Sequence, residues 1–300
     1  MDRITLELSI YLIATAEYRA GQLGLPVNTA VVDECGSLIA FHRMDNARLA
    51  GIDIATNKAW TSATMQMQTA NLARLALPGG DAYGVNTTNQ GKVVILGGGI
   101  PLNGGRQIIG GIGVSGGTGA QDIQVAEAAV QAFNRFAGQR VTVVPGAQHQ
   151  SVFYQRGNEL DKMTLALAKQ LIAASVQKAV RMGLPCDVAI VDEGGNLVAF
   201  YRMDYARAGD IEVSQNKAWT SVALQRPTAV IARTALPGGD AYGINTTNHG
   251  RVVILGGGIP FFSRNKVIGG IGVSGGTGDQ DVEVADAAVQ AFNDLVNRAT

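Results

Sequence analysis

VVDECGSLIAFHRMD at residues 31–45 returns as IVDEGGNLVAFYRMD at 190–204, and this pair decides how the chain is organised. In each copy two apolar runs flank a short Gly-bearing segment, Glu34-Cys35-Gly36 or Glu193-Gly194-Gly195. That pattern reads as two strands joined by a tight hairpin. Outward from it, NKAWTS at 57–62 returns at 216–221, and 33 of the 43 positions in 77–119 are identical in 236–278. The offset is 159 throughout, from Leu25/Leu184 to Phe133/Phe292. A period this long, occurring twice, indicates tandem domains and not a solenoid. The expected boundaries are 1–140 for the first copy, 141–157 for a linker and 158–300 for the second. Residues 138–157 have no counterpart before the first copy and leave room for an added strand at VTVV.

Within a copy the periodicity is mixed. Residues 3–20 place Ile4, Leu8, Tyr11, Leu12 and Thr15 at helical spacing before Gly21 and Gly24. VNTAVVD (27–33) and SLIAFHR (37–43) are the hairpin strands, and 51–76 reads as helix in one or two pieces. KVVIL (92–96) and QIIGGIGV (107–114) read as the next strands, and Thr118 with Gln121 fits a capping box for a last helix through 136. The expected fold class is α+β, two tandem domains, each an antiparallel sheet packed with helices.

The 300 residues are 46% hydrophobic and 16% charged, which fits a well-buried globular chain. Basic and acidic residues number 24 each, balanced in both halves, so no broad face attracts a polyanion. Nucleic acid and polybasic membrane attachment are therefore excluded as partners. Cys35 and Cys186 are too few for a disulfide scaffold or a cysteine zinc site. The N-terminus interleaves Asp2, Glu7, Glu17 and Arg19 with its apolar residues, unlike a signal peptide. No stretch reaches the ~20 apolar residues that span a bilayer. A cytoplasmic protein is the expectation.

Three motifs invite chemistry and mostly fail on context. Gly111–Gly116 matches G-x-G-x-x-G, but position 131 is Gln where a dinucleotide fold needs an acid, and so is 290. Gly113-Val-Ser115-Gly-Gly117 matches G-x-S-x-G, yet no His follows Ser274, and only His149 in the linker follows Ser115 before the second copy. His42 and His249 have Tyr201 and Gln90 as repeat mates, so neither copy-wide metal ligation nor a shared catalytic His is supported. His42 and Tyr201 are nonetheless both residue types that can ligate haem iron.

What survives in both copies is an anion-friendly cluster. Arg43 and Asp45 end a strand, Lys58 lies one helix on, and Ser115-Gly116-Gly117-Thr118 opens a helix. Their mates are Arg202, Asp204, Lys217 and Ser274-Gly275-Gly276-Thr277. Helix N-termini favour carboxylate or phosphate, and Arg offers a planar fork. Arg43 with Asp45 reads equally as a surface ion pair, and Asp122 and Asp281 as dipole-favourable first-turn residues. Gly97-Gly98-Gly99-Ile100-Pro101 and Gly256-Gly257-Gly258-Ile259-Pro260 mark loops where small residues would let a flat ligand approach the backbone.

VVDECGSLIAFHRMD, IDIATNKAWTSA, LPGG, GGGIP and IGGIGVSGGTGAQD together resemble the GlcG/HbpS family, which includes the C-terminal domain of PduO-type proteins. The resemblance covers nearly all of both copies. It implies an antiparallel sheet flanked by helices, assembly into homo-oligomers, and haem as the one cofactor, since some members bind it. Two functional readings follow. In the first, each copy is a small-molecule-binding module, accessory to small-metabolite catabolism, for haem or another flat carboxylated ligand. Arg43, Arg202, Lys58 and Lys217 would meet carboxylates, with His42 and Tyr201 near iron. Gly98, Gly99, Pro101, Ser115 and Gly116 would lie along the ligand, as would Gly257, Gly258, Pro260, Ser274 and Gly275. In the second, the chain is an isomerase- or lyase-type enzyme on a small carboxylated metabolite. Arg43 and Arg202 then clamp the substrate, and Lys58, Lys217, Asp45 and Asp204 serve as acid or base. A scaffold with vestigial pockets is the third.

Overall fold

The computed structural model describes residues 3–137 and 160–299. The expected linker and its VTVV strand lie outside the described residues. The first copy runs α1 (Leu6–Gln22), β1 (Asn28–Asp33), β2 (Leu38–Arg43), α2 (Gly51–Thr64), α3 (Thr69–Leu75), β3 (Gly99–Asn103), β4 (Ile108–Ser115) and α4 (Gly119–Ala137). The second repeats it as α5 (Leu165–Met182), β5 (Asp187–Asp192), β6 (Leu197–Arg202), α6 (Asp210–Ala223), α7 (Thr228–Thr234), β7 (Gly258–Ser263), β8 (Lys266–Ser274) and α8 (Gly278–Ala299). The fold is α+β, as the alternation of periods predicts.

The two copies share one sheet. Its strand order is β3-β4-β1-β2-β6-β5-β8-β7, antiparallel at every pairing. The seam is β2 against β6, with Ala40 opposite Tyr201, Phe41 opposite Phe200 and His42 opposite Ala199. Two hairpins that would each leave an exposed edge thus close each other off, which is a common way of protecting unpaired strand edges. The remaining edges, β3 and β7, carry Pro101 and Pro260, whose missing N–H is tolerated there.

Helices cover both faces. On one face α1 packs on α4 and α5 on α8, over a core that includes Leu12, Ile13, Phe133, Leu171, Ile172 and Phe292. Helix α1 starts where Thr5 Oγ1 accepts from Leu8 N at 3.3 Å, and Leu8, Leu12, Ala16 and Ala20 form its buried stripe. Tyr11, expected in that stripe, is partly exposed. On the other face α2 and α6 lie over Ala30, Val32, Phe41, Ala189, Val191 and Phe200.

The glycines of β4 explain why that motif is written twice. A Cβ on Gly113 would sit 2.1 Å from the Ala55 carbonyl oxygen and 2.4 Å from Ala59 N, so α2 rests directly on the strand backbone. Gly272 meets the Ser214 oxygen of α6 in the same way, at 1.9 Å. Gly113→Ala is therefore expected to lower unfolding stability by about 1–3 kcal/mol through helix displacement. Gly21→Ala, where nothing lies within 4 Å, is the matched control. Equal urea midpoints for the two variants would refute the close-approach reading.

One strand expectation is corrected. KVVIL (92–96) is irregular, and the edge strand begins only at Gly99. Thr61 in α2 takes its place as partner: its hydroxyl donates to Lys92 O at 3.1 Å and accepts from Val94 N at 3.0 Å. An apolar run satisfied by a side chain has no need of a ladder.

Candidate functional site

The predicted cluster divides in space, Lys58 joining the Gly116–Gly117 turn through Asp122 while Arg43 and Asp45 bond to the other copy, and each of these charged groups already has a partner within the chain. Lys58 is buried, and its Nζ donates to Asp122 Oδ2 at 2.7 Å and to Val114 O at 2.8 Å. Lys217 repeats this on Asp281 and Val273 at 2.7 and 2.8 Å. Burial lowers the Lys58 pKa, opposed by its bond to Asp122. The other carboxylate oxygen, Asp122 Oδ1, accepts from Gly116 N and Gly117 N at 3.1 and 2.8 Å. The helix N-terminus expected to hold an external anion is thus filled by the chain's own Asp122, and in the second copy by Asp281, which accepts from Gly276 N at 2.9 Å.

The arginines cross the seam. Arg43 Nη2 donates to Asp192 Oδ2 at 2.7 Å and its Nε to Leu197 O at 2.9 Å, both in the second copy. Arg202 answers with Asp33 Oδ2 at 2.6 Å and Leu38 O at 2.8 Å. Each of those acids also folds its own hairpin turn: Asp33 Oδ1 accepts from Cys35 N and Ser37 N, and Asp192 Oδ1 from Gly194 N and Asn196 N. Asp45 is bonded to the other copy as well, accepting from Leu165 N at 2.9 Å, while Asp204 accepts from Leu6 N at 3.0 Å. Asp45 and Asp204 thereby cap helices of the opposite half.

The Gly-rich loops face protein. Gly98 and Gly257 adopt φ of 115° and 114°, and a Cβ on Gly98 would come within 2.7 Å of Asp122 Cβ and Val114 O. Gly99 N and Gly258 N donate to Thr69 and Thr228 hydroxyls, each at 2.9 Å. A Cβ on Gly116 or Gly275 would strike the Pro26 or Pro185 carbonyl oxygen. Ser115 O accepts from Asn28 Nδ2 at 3.4 Å, and Ser274 Oγ donates to Asp210 Oδ1 at 3.0 Å.

His42 and Tyr201, expected in separate pockets, meet at the seam. His42 Nε2 lies 2.9 Å from the Tyr201 hydroxyl and Nδ1 lies 2.7 Å from Glu17 Oε1, with both rings buried. Glu17 Oε2 also accepts from Lys169 Nζ at 2.6 Å. Burial lowers the His42 pKa. The neutral tautomer that satisfies both contacts donates from Nδ1 to Glu17 and accepts at Nε2 from Tyr201. Burial alone would raise the Glu17 carboxyl, but His42 and Lys169 outweigh it and bring it down to about 2. Sequence reasoning missed Glu17 and Lys169. The available signal was their repeat mates, Val176 and Ile10: a charge in one copy stands where the other is apolar.

Elsewhere the two copies expose the same surface, in which the Arg251 guanidinium lies 4.4 Å from the centre of the Trp219 ring and its Nε donates to Asn216 Oδ1 at 3.3 Å. Between α3 and β3 the chain exposes Leu77, Tyr83 and Leu96, at 60%, 68% and 54%, and the second copy exposes Leu236, Tyr242 and Leu255, at 61%, 68% and 57%. Lys92 and Arg251 are exposed in the same segments, as is His249, whose mate is Gln90. An open groove of about 650 Å³ lies among Glu34, Gln66, Asn103, Arg106 and Gln107, away from the predicted residues. Its rim is rewritten in the second copy, where Phe262 and Asn265 replace Asn103 and Arg106. Among the described residues no group of three or more His, Cys, Asp and Glu side chains could hold a metal ion. No described helix is long and apolar enough to cross a membrane.

A family model described as "Haem degrading protein HbpS-like" matches residues 4–131 and again 163–290. A 15.0 kDa protein from the dhaT–dhaS intergenic region of Citrobacter freundii is 39% identical over 140 residues, 47% of this chain and 99% of that protein. The corrinoid adenosyltransferase PduO of Salmonella typhimurium is 40% identical over 124 residues, 41% of this chain and 37% of PduO. The match therefore spans little more than a third of PduO. A crystal structure of a PduOC:heme complex is 37% identical, covering 43% of this chain and 94% of that one, with a TM-score of 0.42.

Proposed function

The chain belongs to the HbpS-like family through both of its halves, and on that footing we propose that each half binds one flat, amphipathic, carboxylated ligand of the haem class. The observation that carries the reading is the exposed segment repeated in both copies. A globular core has no use for Tyr83 and Tyr242, each 68% exposed in an identical LPGGDAYG setting. Haem needs an apolar seat, cations for its propionates and an axial donor. Leu236, Tyr242 and Leu255 offer the first, Arg251 the second and His249 the third. In the first half Leu77, Tyr83, Leu96 and Lys92 correspond, but Gln90 stands in place of the imidazole. Haem iron, when bound, would supply redox chemistry; Leu236, Tyr242 and Leu255 would seat the ring, Arg251 would balance its charge, and His249 would offer an imidazole to it.

This places the ligand away from Arg43, Arg202, Lys58 and Lys217, whose charges hold the fold. It also sets His42 and Tyr201 aside as iron ligands, since each occupies the other's polar atom behind a closed seam. Titration of the purified chain with haemin, followed by Soret absorbance, tests the reading. Saturation at two haems per chain, one in each half, is expected. His249→Ala should shift the Soret band while His42→Ala leaves its position unchanged. Loss of Arg251 and Lys92 should weaken binding about tenfold at each site, the worth of roughly 1.4 kcal/mol. A featureless, non-saturating response overturns haem. Undiminished binding by Tyr83→Ala with Tyr242→Ala overturns the location. Mass measurement of the same samples checks the homo-oligomer that the resemblance implies.

A further inference from the structure

The two copies differ at one buried polar position that neither the haem reading nor the ion pairs use. In the first half Asn28, fully buried at the start of β1, donates its Nδ2 to Arg48 O at 3.0 Å and to Ser115 O at 3.4 Å. Gly51, the first residue of α2, leaves room for that amide: a Cβ there would lie 2.3 Å from Asn28 Nδ2. In the second half both residues change, Asn28 to Asp187 and Gly51 to Asp210. The donor becomes an acceptor, and a second acceptor is placed against it. Asp210 is satisfied, taking Ser274 Oγ at 3.0 Å and Arg207 Nε at 2.7 Å. Asp187 is not. It is fully buried, and no donor among the described residues reaches either of its oxygens.

An ionised carboxylate with no partner in a dry interior is strongly disfavoured, so something must neutralise it. The first half indicates what fits, because there the Nδ2 hydrogens of Asn28 lie between two main-chain carbonyls, while its Oδ1 has no partner among the described residues. We propose that Asp187 is a proton-binding site present in the second half alone: as a neutral carboxylic acid it offers its single O–H to one main-chain carbonyl, where the Asn28 amide offers two hydrogens, and its deprotonation loosens the docking of α6 on β5. The charged and titratable groups facing it are Arg202 on β6, Asp210 in the first turn of α6, Arg207 before that helix, and the neighbouring Cys186. Arg202 and Arg207 favour the ionised form, but each is already paired, with Asp33 and Asp210 respectively. Burial outweighs them and, with Asp210 adding to it, raises the Asp187 pKa from 3.8 to about 8. The Cys186 thiol is pushed up to about 12, by burial first and then by the surrounding carboxylates, and stays neutral alongside it.

The sign follows from proton linkage. The folded state holds a proton that the unfolded chain releases above its ordinary value of 3.8. Stability from this group is complete below that value and is lost as pH rises through about 8, by up to tenfold in the folding constant per pH unit across that window. Beyond it the loss levels off. Urea unfolding of the full chain from about pH 5 to pH 9 should therefore show wild type falling away from Asp187→Asn, whose amide does not titrate. Asp187→Asn should be at least as stable as wild type near pH 8. The infrared band of a protonated carboxyl, present in wild type near pH 6.5 and gone near pH 10, gives a readout that does not depend on any variant folding. A pH-independent difference between the two chains, or absence of that band at neutral pH, overturns the proposal. So does a stabilisation of wild type, but not of Asp187→Asn, by Na⁺, Mg²⁺ or Ca²⁺ near pH 8, which would make the occupant a metal cation.

Discussion

Lys58→Met is expected to lower the stability of the chain by about 3–5 kcal/mol, and Lys217→Met by a similar amount, because each leaves a buried carboxylate without its counter-charge. The Lys58 and Asp122 side chains are only 2% and 4% exposed, so water cannot replace the lost ammonium. Asp122 does retain two donors, Gly116 N and Gly117 N, which is why the lower part of that range is reached before the upper. The pair joins three elements: α2 through Lys58, α4 through Asp122, and the end of β4 through Val114 O. Removing the ammonium therefore frees a helix–sheet–helix junction and not a single contact. Adding Asp122→Leu to Lys58→Met should cost less than the sum of the two single changes, since the second removes the orphaned charge that the first creates. The measurement is the urea midpoint at constant m, with haemin binding measured on the folded fraction. A catalytic lysine would behave differently, leaving the fold intact when lost. A midpoint within about 1 kcal/mol of wild type would return Lys58 to the acid–base reading.

How much of this was legible depends on how far apart the interacting residues lie in the chain. The hairpins, the capping box at Thr118 and Gln121, and the paired helices are set by neighbours a few residues away, and periodicity reads them well. The box forms as spaced, with Thr118 N donating to Gln121 Oε1 at 2.9 Å. Arg43 looked like a free clamp because its acceptors, Asp192 and Leu197 O, lie 149 and 154 residues further on. No local pattern announces that β2 will pair with β6. Lys58 and Asp122, 64 residues apart, posed the same difficulty, although both were singled out individually. KVVIL misled for the opposite reason. Its composition is that of a strand, and only the Thr61 hydroxyl, 31 residues upstream, shows why the segment stays irregular. The repeat itself carried a signal that composition lacked: positions where one copy is charged and its mate apolar mark places where the halves are not interchangeable.

The seam network is the largest such place, and Glu17→Val, which writes into the first half what Val176 is in the second, is expected to cost about 2–4 kcal/mol. His42 would keep a buried N–H with no acceptor, a loss of about 1–3 kcal/mol by itself. Lys169, 34% exposed, can turn partly to water, so its contribution is the smaller one. Adding Lys169→Ile should recover little, because the stranded group is the imidazole. Adding His42→Tyr should recover more, since a hydroxyl can rotate toward Tyr201. The acid limb of stability gives an independent check. A carboxyl held at about 2, against an ordinary 4.5, contributes stability that is complete above 4.5 and is lost as pH falls toward 2. Glu17→Gln should flatten that limb while leaving the alkaline limb of Asp187 untouched. The network also bears on which halves can pair. Glu17 and His42 belong to the first copy, Lys169 and Tyr201 to the second, so the two crossing contacts, His42 to Tyr201 and Lys169 to Glu17, close only when a first half meets a second. Two first halves would face each other with both Glu17 side chains lacking lysine, and two second halves with both lysines lacking an acid. If Glu17→Val and Glu17→Gln both melt like wild type across the acid range, the seam is held by Phe41 and Phe200 packing and the arginine crossings alone.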